Sequence, residues 1–316
     1  MFNLPETYAV KHKDEHIRME SRSGGVFTAL SDYILEQDGV IYGCIINEDM
    51  QVMHIRASDR STRDRMRGSK YVQSDLKNVY KEVLKDITED RMVLFSGTSC
   101  QIDGLRAFIG MESDKLYCVD ILCHGVPSPL IFRDYINYLT RKHGKCLSVD
   151  FRNKKDFGWK DHVETYILAK KKIDSREYSS LFCGHTILRP SCYECPYRTV
   201  QRKSDITIAD YWGIEKNVPE YDDNRGCSLV LVNSVKGAYL FNEIKNEIIF
   251  EKTKLSTSMQ LPLEGKIERP FNRNQVWNDY KSMPFQKFIA YYGEYTLMKR
   301  IKTKILKLKY RVLWKR

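Results

Sequence analysis

The chain has 316 residues, enough for one large domain or two modest ones with a real core. It is 42% hydrophobic and 12% aromatic, which excludes a disordered chain. The formal net charge is +11. Residues 296–316 carry nine lysines and arginines and no acid, so most of the excess positive charge lies in this tail. Because the rest of the chain is close to neutral, a nucleic-acid-binding body is excluded.

The expected compartment follows from the N-terminus and the cysteines. The N-terminus has no basic segment followed by an apolar run, so we expect no signal peptide. No stretch approaches the roughly 20 apolar residues of a membrane span. Nine cysteines in a chain without an export signal should be mostly reduced, which favours metal or redox roles over disulfides. We therefore expect a cytoplasmic protein.

Helices and short apolar strands alternate in the first half of the chain. The pattern predicts helices at 25–36, 80–87 and 102–109, and strands at 40–46, 92–95 and 116–122. This alternation predicts an α/β sheet that is at least partly parallel. Cys100 and Cys123 then lie just past the carboxyl ends of two strands, the edge where open α/β sheets bind ligands.

The middle of the chain has a different pattern. Residues 149–152, 163–169 and 204–210 alternate polar and apolar side chains, as half-exposed antiparallel strands do. Residues 229–233 predict another strand, followed by a helix at 237–248. The fold class is therefore α/β with α+β elements: a partly parallel sheet core with ligand loops at its strand ends, mixed or antiparallel strands in the middle, and a helical C-terminus.

Four cysteines lie at positions that suit metal ligands: Cys100, Cys123, Cys192 and Cys195. One Cys-x-x-Cys pair and two isolated cysteines, each beside Gly or Pro, form a ligand set suited to an iron–sulfur cluster. Gly97, Gly125 and the turn after Cys195 could supply the backbone N–H groups that thiolates need in a desolvated site. Zinc is the alternative, although structural zinc sites more often use two Cys-x-x-Cys pairs. The other five cysteines are interpreted as structural.

Several polar motifs have both a functional and an ordinary structural interpretation. Residues 21–25 open a helix and could bind a phosphate or simply cap it. Residues 68–74 offer a glycine turn, a cation and several donors, suited to a pyrophosphate or a flavin edge, or else to an exposed loop. Asp205 and Thr207 share one face of a strand that could position an isoalloxazine or be solvated. His124, beside Cys123, could relay a proton or only donate a hydrogen bond.

Taken together, six segments resemble the coenzyme F420 hydrogenase/dehydrogenase beta-subunit family, a group of iron–sulfur flavoproteins. They are residues 23–27, 68–73, 97–101, 123–128, 189–195 and 204–213, in the family's order. The resemblance implies an FAD, one 4Fe–4S cluster held by the four cysteines named above, and electron transfer between the two. The implied FAD contacts are Ser23, Gly24, Gly25, Gly68, Ser69, Lys70, Tyr71, Gln73, Gly97, Thr98, Asp205 and Thr207. Ser99 departs from the family's usual proline, but the Cys100 ligand is intact.

The resemblance also bears on partners. Many relatives carry a ferredoxin-like module ahead of this core, and this chain starts where that module would end. We therefore expect a separate ferredoxin or electron-donor subunit as partner.

In the tail, an apolar stripe at helical spacing lies among basic residues: Leu297, Ile301, Ile305, Leu308 and Val312, with Tyr310 and Trp314 nearby. A helix of this composition could bind the anionic inner face of a membrane, dock an acidic partner protein, or pack against the rest of the chain.

These expectations define a function and a domain division. Residues 1–260 would form the FAD and 4Fe–4S oxidoreductase core, with an N-terminal part to about residue 145 and a cluster-completing part from 146. Residues 261–316 would form a helical basic extension. The chain would be an oxidoreductase subunit that moves electrons between a ferredoxin-like partner and a two-electron substrate. A zinc-stabilised interaction module and an electron-relay subunit of a larger complex remain the alternatives.

Overall fold

The computed structural model describes residues 1–293, 298, 301–302, 304–305 and 308–309. Its strands are β1 (Glu6–His12), β2 (Val40–Ile46), β3 (Val52–Ala57), β4 (Val93–Thr98), β5 (Leu116–Ile121), β6 (Cys146–Asp150), β7 (Glu164–Leu168), β8 (Lys171–Ser175), β9 (Ile206–Asp210), β10 (Ser228–Val232) and β11 (Ile248–Thr253). Its helices are α1 (Glu15–Glu20), α2 (Val26–Glu36), α3 (Arg60–Asp64), α4 (Val79–Thr88), α5 (Ser99–Ile109), α6 (Pro129–His143), α7 (Lys154–Phe157), α8 (Glu177–Cys183), α9 (Ile214–Asn217), α10 (Val235–Glu243), α11 (Arg273–Ser282) and α12 (Phe285–Tyr292).

Eight strands form one large mixed sheet in the order β11-β1-β10-β9-β5-β4-β2-β3. Its centre, β2-β4-β5-β9, is parallel. Strand β3 adds to one side, and β10, β1 and β11 add to the other, all antiparallel to their neighbours. The predicted mixed α/β fold with a partly parallel core is therefore confirmed.

The central strands are apolar runs because helices cover both faces of the sheet. Side chains alternate between the faces along each strand. Ile41 and Leu94 pack in the buried core beneath α2 and α10. Their neighbours Tyr42 and Phe95 point the other way, into the core formed with α4 and α5. The result is a three-layer arrangement in which the loops at the strand ends are left free to form a site.

A smaller antiparallel sheet, β6-β7-β8, forms a second unit with its own core. Tyr135 of α6 and Tyr166 of β7 are fully buried there, together with Val276 of α11 and Phe288 of α12. The predicted antiparallel strand at 163–169 is β7, whereas the one predicted at 149–152 overlaps β6 only at residues 149–150, because the chain turns at 151–152. Strand β9 is different, because it lies inside the large sheet between β5 and β10 and is not half-exposed. The division near residues 145 and 260 stays a prediction.

In the C-terminal half, the largest boundary error is at the end of helix α10. The predicted helix at 237–248 ends at Glu243, and Ile248 begins strand β11, which pairs with β1 along its length.

In the tail, the predictions for Leu297, Tyr310, Val312 and Trp314 lie outside the described residues. Ile301, Ile305 and Leu308 of the predicted apolar stripe are exposed. Among the helices in the described part of the chain, none has the length and hydrophobicity that crossing a bilayer requires.

Candidate functional site

A cavity of about 1450 Å³ opens at the carboxyl ends of the parallel strands. Its lining includes Thr98 at the end of β4, Cys123 after β5 and Asp210 at the end of β9. Its walls come from the segments before α2 and between β3 and α4, and from the first turns of α6. This is the edge at which open α/β sheets bind ligands. The volume exceeds that of a typical small-molecule pocket, so the cavity has room for a ligand of dinucleotide size.

The sheet register aligns three polar positions at this edge. Thr98 of β4 is paired with Ile121 of β5, and Ile121 is paired with Ile208 of β9. Two residues beyond this row, the three segments carry Cys100, Cys123 and Asp210. Neighbouring strands lie about 4.8 Å apart. This row therefore marks the edge of the sheet: Cys100 lies beyond it in the first turn of α5, Cys123 lies in the loop after β5, and Asp210 is the last residue of β9.

The four predicted cluster cysteines lie near one another. Burial raises the pKa of the Cys123 thiol to about 12, and the nearby Cys192, Cys100 and Cys195 thiols add to this shift. The backbone N–H of Gly125 donates to Cys123 Sγ at 3.3 Å, and that of Val126 donates to Cys192 Sγ at 3.5 Å. Cys100 Sγ lies 3.1 Å from the Thr98 hydroxyl. Backbone N–H groups therefore already point at two of the four sulfurs.

A buried cation accompanies the thiols. Arg198 is 7% exposed, and its charge interacts with Cys195, Cys123 and Cys192. Its Nε and Nη2 donate to backbone carbonyls of the segment 261–265, but its Nη1 has no partner among the described residues. Also within the described residues, no three or more His, Cys, Asp or Glu side chains are grouped tightly enough to hold a metal ion as they stand.

A buried ion pair joins the three segments that carry the cysteines. Arg202, on the segment after Cys195, donates from Nε and Nη2 to Asp120 Oδ2 at 3.0 and 2.6 Å. Ser99, next to Cys100, donates to the same carboxylate at 2.6 Å and accepts from Arg202 Nη2 at 2.7 Å. Arg202 and Asp120 have 2% and 0% of their side chains exposed. The network fixes the relative positions of the segments that carry the thiols.

His124 lines the cavity beside Cys123, as its position in the sequence predicts. Its Nε2 lies 2.7 Å from Nε2 of His185, so one ring donates to the other. Burial, followed by the charges of His185 and Arg198, lowers the pKa of His124 to about 4. His124 is therefore neutral near pH 7. A proton relay through it stays a prediction.

Nine of the residues implied as FAD contacts line the cavity: Ser23, Gly25, Gly68, Ser69, Lys70, Tyr71, Gln73, Gly97 and Thr98. The ammonium of Lys70 is turned back onto its own loop, where four backbone carbonyls of residues 65–68 lie within hydrogen-bonding distance of its three hydrogens. Burial lowers the pKa of Lys70 to about 8. Lys70 therefore holds the glycine turn in shape at the cavity wall.

The structure does not bring Gly24, Asp205 or Thr207 to the cavity. Gly24 packs against β1 and β10, where a Cβ would overlap the carbonyl oxygen of Val10. Asp205 is buried near the start of β9 and accepts from the Cys118 N–H at 2.8 Å. Thr207 is buried beside it and accepts from Asn233 Nδ2 at 2.9 Å. All three are explained by packing and hydrogen bonding within the fold.

Other polar groups at the cavity were not predicted as site residues: Arg22, Arg152, His162, Asp210 and Trp212. Of these, Arg22 lies within the predicted segment 21–25, and Asp210 and Trp212 lie within the segment 204–213. Asp210 has a usable signal, because it ends a strand of the parallel core and ligands gather at carboxyl ends. Arg152 and His162 come from the smaller unit, and no local pattern in the sequence indicates that they reach this edge. His185 and Arg198 were missed for the same reason.

The fold and the site define a class of protein: a mixed α/β protein with a large ligand cavity at the carboxyl edge of its sheet and four neighbouring thiols beside it. Residues 90–258, more than half of the chain, match the family described as the C terminus of the coenzyme F420 hydrogenase/dehydrogenase beta subunit. The chain therefore belongs to this family, whose members are subunits of redox enzymes.

A solved structure shares the fold. It is a chain of the F420-reducing [NiFe] hydrogenase complex from Methanosarcina barkeri, in a xenon-derivatised form. The TM-score is 0.53 at 15% sequence identity, and the match covers 79% of this chain and 82% of that chain. At this identity the likeness concerns the fold. No curated protein matches the chain.

Proposed function

We propose that the chain is an iron–sulfur flavoprotein subunit that exchanges electrons between a separate carrier protein and a two-electron substrate. The observation that carries the proposal is the meeting of four thiols beside a cavity of about 1450 Å³ at the sheet edge, in a member of this redox-subunit family. A 4Fe–4S cluster and an FAD together supply exchange between one-electron and two-electron chemistry.

The residues present fit both groups. Four thiols of Cys100, Cys123, Cys192 and Cys195 match the ligand set of a 4Fe–4S cluster. Two of these sulfurs accept backbone N–H groups, and the unpartnered Nη1 of Arg198 offers a further donor to an anionic centre. The cavity beside them has the volume for an FAD, and its walls present glycine turns and hydroxyl groups.

The chain's own residues have defined tasks in this proposal. The four cysteines would hold the cluster, and the Asp120–Arg202 pair would keep their segments in place. The loops around Ser23 and Gly68 would orient the FAD, with the neutral ring of His124 lining the cavity beside Cys123. We expect the exchange to take place in the cytoplasm with a ferredoxin or another electron-donor subunit as carrier.

The test is a count of iron, zinc and flavin in protein purified without oxygen. About four irons and one FAD per chain, with an absorption band that bleaches on reduction by dithionite, support the proposal. A colourless protein with one zinc and no flavin contradicts it and indicates a zinc-stabilised module. Iron without flavin contradicts the flavin part and leaves an electron-relay subunit.

A matched pair of variants locates the iron. Cys192→Ser should lose most of the iron, because serine does not replace a thiolate in such a site. Cys183→Ser should retain it, because Cys183 is exposed and lies outside the set of four. Equal iron in the two variants would show that Cys192 is not a ligand. Circular dichroism of both variants separates iron loss from unfolding.

A further inference from the structure

The closing segment of this chain, residues 296–316, is a motif that the proposed function does not use. Seven of its residues belong to the described part of the chain, and all seven are helical and exposed: Met298, Ile301, Lys302, Lys304, Ile305, Leu308 and Lys309. Four of them are large apolar side chains that keep between 45% and 64% of their surface exposed: Met298, Ile301, Ile305 and Leu308. None of these seven side chains is therefore buried against the rest of the chain.

The described residues divide this segment into an apolar and a basic side. At about 3.6 residues per turn, the four apolar side chains fall within an arc of about 80°. Lys302 and Lys309 lie beyond one edge of this arc, and Lys304 lies beyond the other. Such a stripe with cations along both edges is typical of a helix that lies in a membrane interface, because lysine stems follow the apolar layer while their ammonium groups reach outward.

The region around this segment is also basic. Residues 296–316 carry nine lysines and arginines and no acid. The two preceding helices add Lys281 near the end of α11 and Lys287 in α12, both exposed. The sequence of residues 273–316 has only two acids, Asp279 and Glu294. Asp279 accepts a hydrogen bond from the Tyr292 hydroxyl at 2.5 Å. The counterpart of this surface must therefore be anionic.

An anionic lipid surface meets both requirements at once. Its headgroups offer negative charge to the lysines, and its acyl chains offer an apolar layer to the stripe. An acidic partner protein matches the charges, but it must also hold an apolar groove shaped for Ile301, Ile305 and Leu308. A nucleic acid matches the charges, but its phosphate backbone offers no apolar layer. The combination of stripe and charge therefore favours the lipid surface.

We propose that the segment containing residues 298–309 binds an anionic lipid surface, with its apolar stripe at the boundary between headgroups and acyl chains and its lysines at the lipid phosphates. The chain is then a peripheral membrane protein held by a surface helix. The inference goes beyond the proposed function and does not rest on it, because lipid binding needs neither iron nor flavin. The proposed electron exchange would then take place at the membrane surface.

The test is sedimentation of the full chain with lipid vesicles. One set of vesicles contains phosphatidylcholine alone, and the other contains about one phosphatidylglycerol for every two phosphatidylcholines. Wild-type protein should bind the anionic vesicles at least about tenfold more tightly than the neutral ones. Added salt should weaken this binding, because it screens exposed charges. Equal binding to both sets overturns the proposal. Absence of binding to the anionic vesicles also overturns it and leaves docking to an acidic protein.

A first pair of variants tests the apolar stripe. Ile301→Gln combined with Ile305→Gln should weaken vesicle binding by about tenfold or more, because two large apolar side chains no longer leave water. The matched control is Leu147→Gln combined with Val235→Gln, which changes two exposed apolar side chains on β6 and at the start of α10. This control should bind as wild-type protein does. Equal binding by the two double variants, with unchanged circular dichroism spectra, overturns the role of the stripe.

A second pair of variants tests the charge. Lys302→Gln combined with Lys309→Gln should weaken binding to anionic vesicles by about tenfold or more, since each lysine near such a surface contributes a factor of about five. Lys81→Gln combined with Lys171→Gln changes the net charge equally through exposed lysines of α4 and β8, and it should bind as wild-type protein does. An equal loss in both overturns the proposal. Iron and flavin counts are independent of this assay, so failure of the proposed function and failure of the lipid-binding surface give different results.

Discussion

Arg202→Met should lower the free energy of unfolding by about 3–5 kcal/mol, the usual cost of leaving one member of a buried ion pair alone. The Asp120 carboxylate is completely buried and accepts from Arg202, Ser99 and Ser204. The two serines are neutral and cannot offset its charge. Arg202 also donates to the Tyr197 carbonyl at 2.6 Å, so its loss frees the segment that follows Cys195.

The assay is urea unfolding of the anaerobic protein, followed by circular dichroism. Asp120→Asn should also destabilise the protein, because it leaves the guanidinium of Arg202 without its counter-charge. The double variant should lose less than the sum of the two single losses, by about 0.5–3 kcal/mol, because the two residues interact directly. Since the pair ties together the segments that carry the cysteines, the proposed iron–sulfur cluster gives a second readout: the variants should lose iron on mild heating sooner than wild-type protein does.

The control is Lys252→Met, which breaks the exposed pair with Glu6 and should leave the unfolding midpoint unchanged. A loss below about 1 kcal/mol for Arg202→Met would refute the reasoning, because that is the range of surface ion pairs. Additive losses in the double variant would refute the direct interaction between the two side chains.

Two further predictions concern stability. Burial raises the pKa of Glu164 to about 8, so the folded state keeps a proton that the unfolded state loses above about pH 4.5. The free energy of unfolding should therefore fall by roughly 5 kcal/mol between pH 4.5 and 8 because of this group. Glu164→Gln should remove this pH dependence. Urea titrations that give wild-type and variant proteins the same pH dependence would contradict the prediction. Gly24→Ala should lower the free energy of unfolding by more than about 3 kcal/mol, because a Cβ there meets the backbone of β1 and β10. Gly68→Ala has open space around the new Cβ and should cost only about 1 kcal/mol, because the φ of residue 68 is positive. Similar thermal midpoints for the two glycine variants would contradict that explanation.

The parallel core could be predicted from the sequence because its strands are short apolar runs that end at glycine or polar residues. Predicted strand 40–46 is β2 without any change of boundary. The missed strands lack this signal. Strand β8 carries Lys171 and Lys172, and β11 continues the apolar spacing of the preceding helix. Only pairing with β1, more than 200 residues earlier in the chain, makes Ile248–Thr253 a strand.

The candidate site was predictable where the chemistry is local and not where it depends on the fold. The Cys-x-x-Cys pair and the glycine-flanked cysteines are visible in the sequence. Period-two alternation predicts that Asp205 and Thr207 share a face, but it does not say which end of the strand meets the cavity. The carboxyl end does, and Asp210 is the acid found there. Partners such as Arg152 reach Asp210 from the turn after β6, which no local pattern indicates.

The order of groups along the sheet edge follows from the strand order. Cys100 and Cys123 follow β4 and β5, and Asp210 ends β9, each two residues beyond one row of paired positions. At about 4.8 Å per strand, the outer strands of the three are about 10 Å apart. Cys100 follows the outer strand β4, Cys123 follows the middle strand β5, and the guanidinium groups around Asp210 lie at the other outer strand, β9. The strand order therefore sets the order in which two of the predicted cluster cysteines and the Asp210 carboxylate line one edge of the cavity.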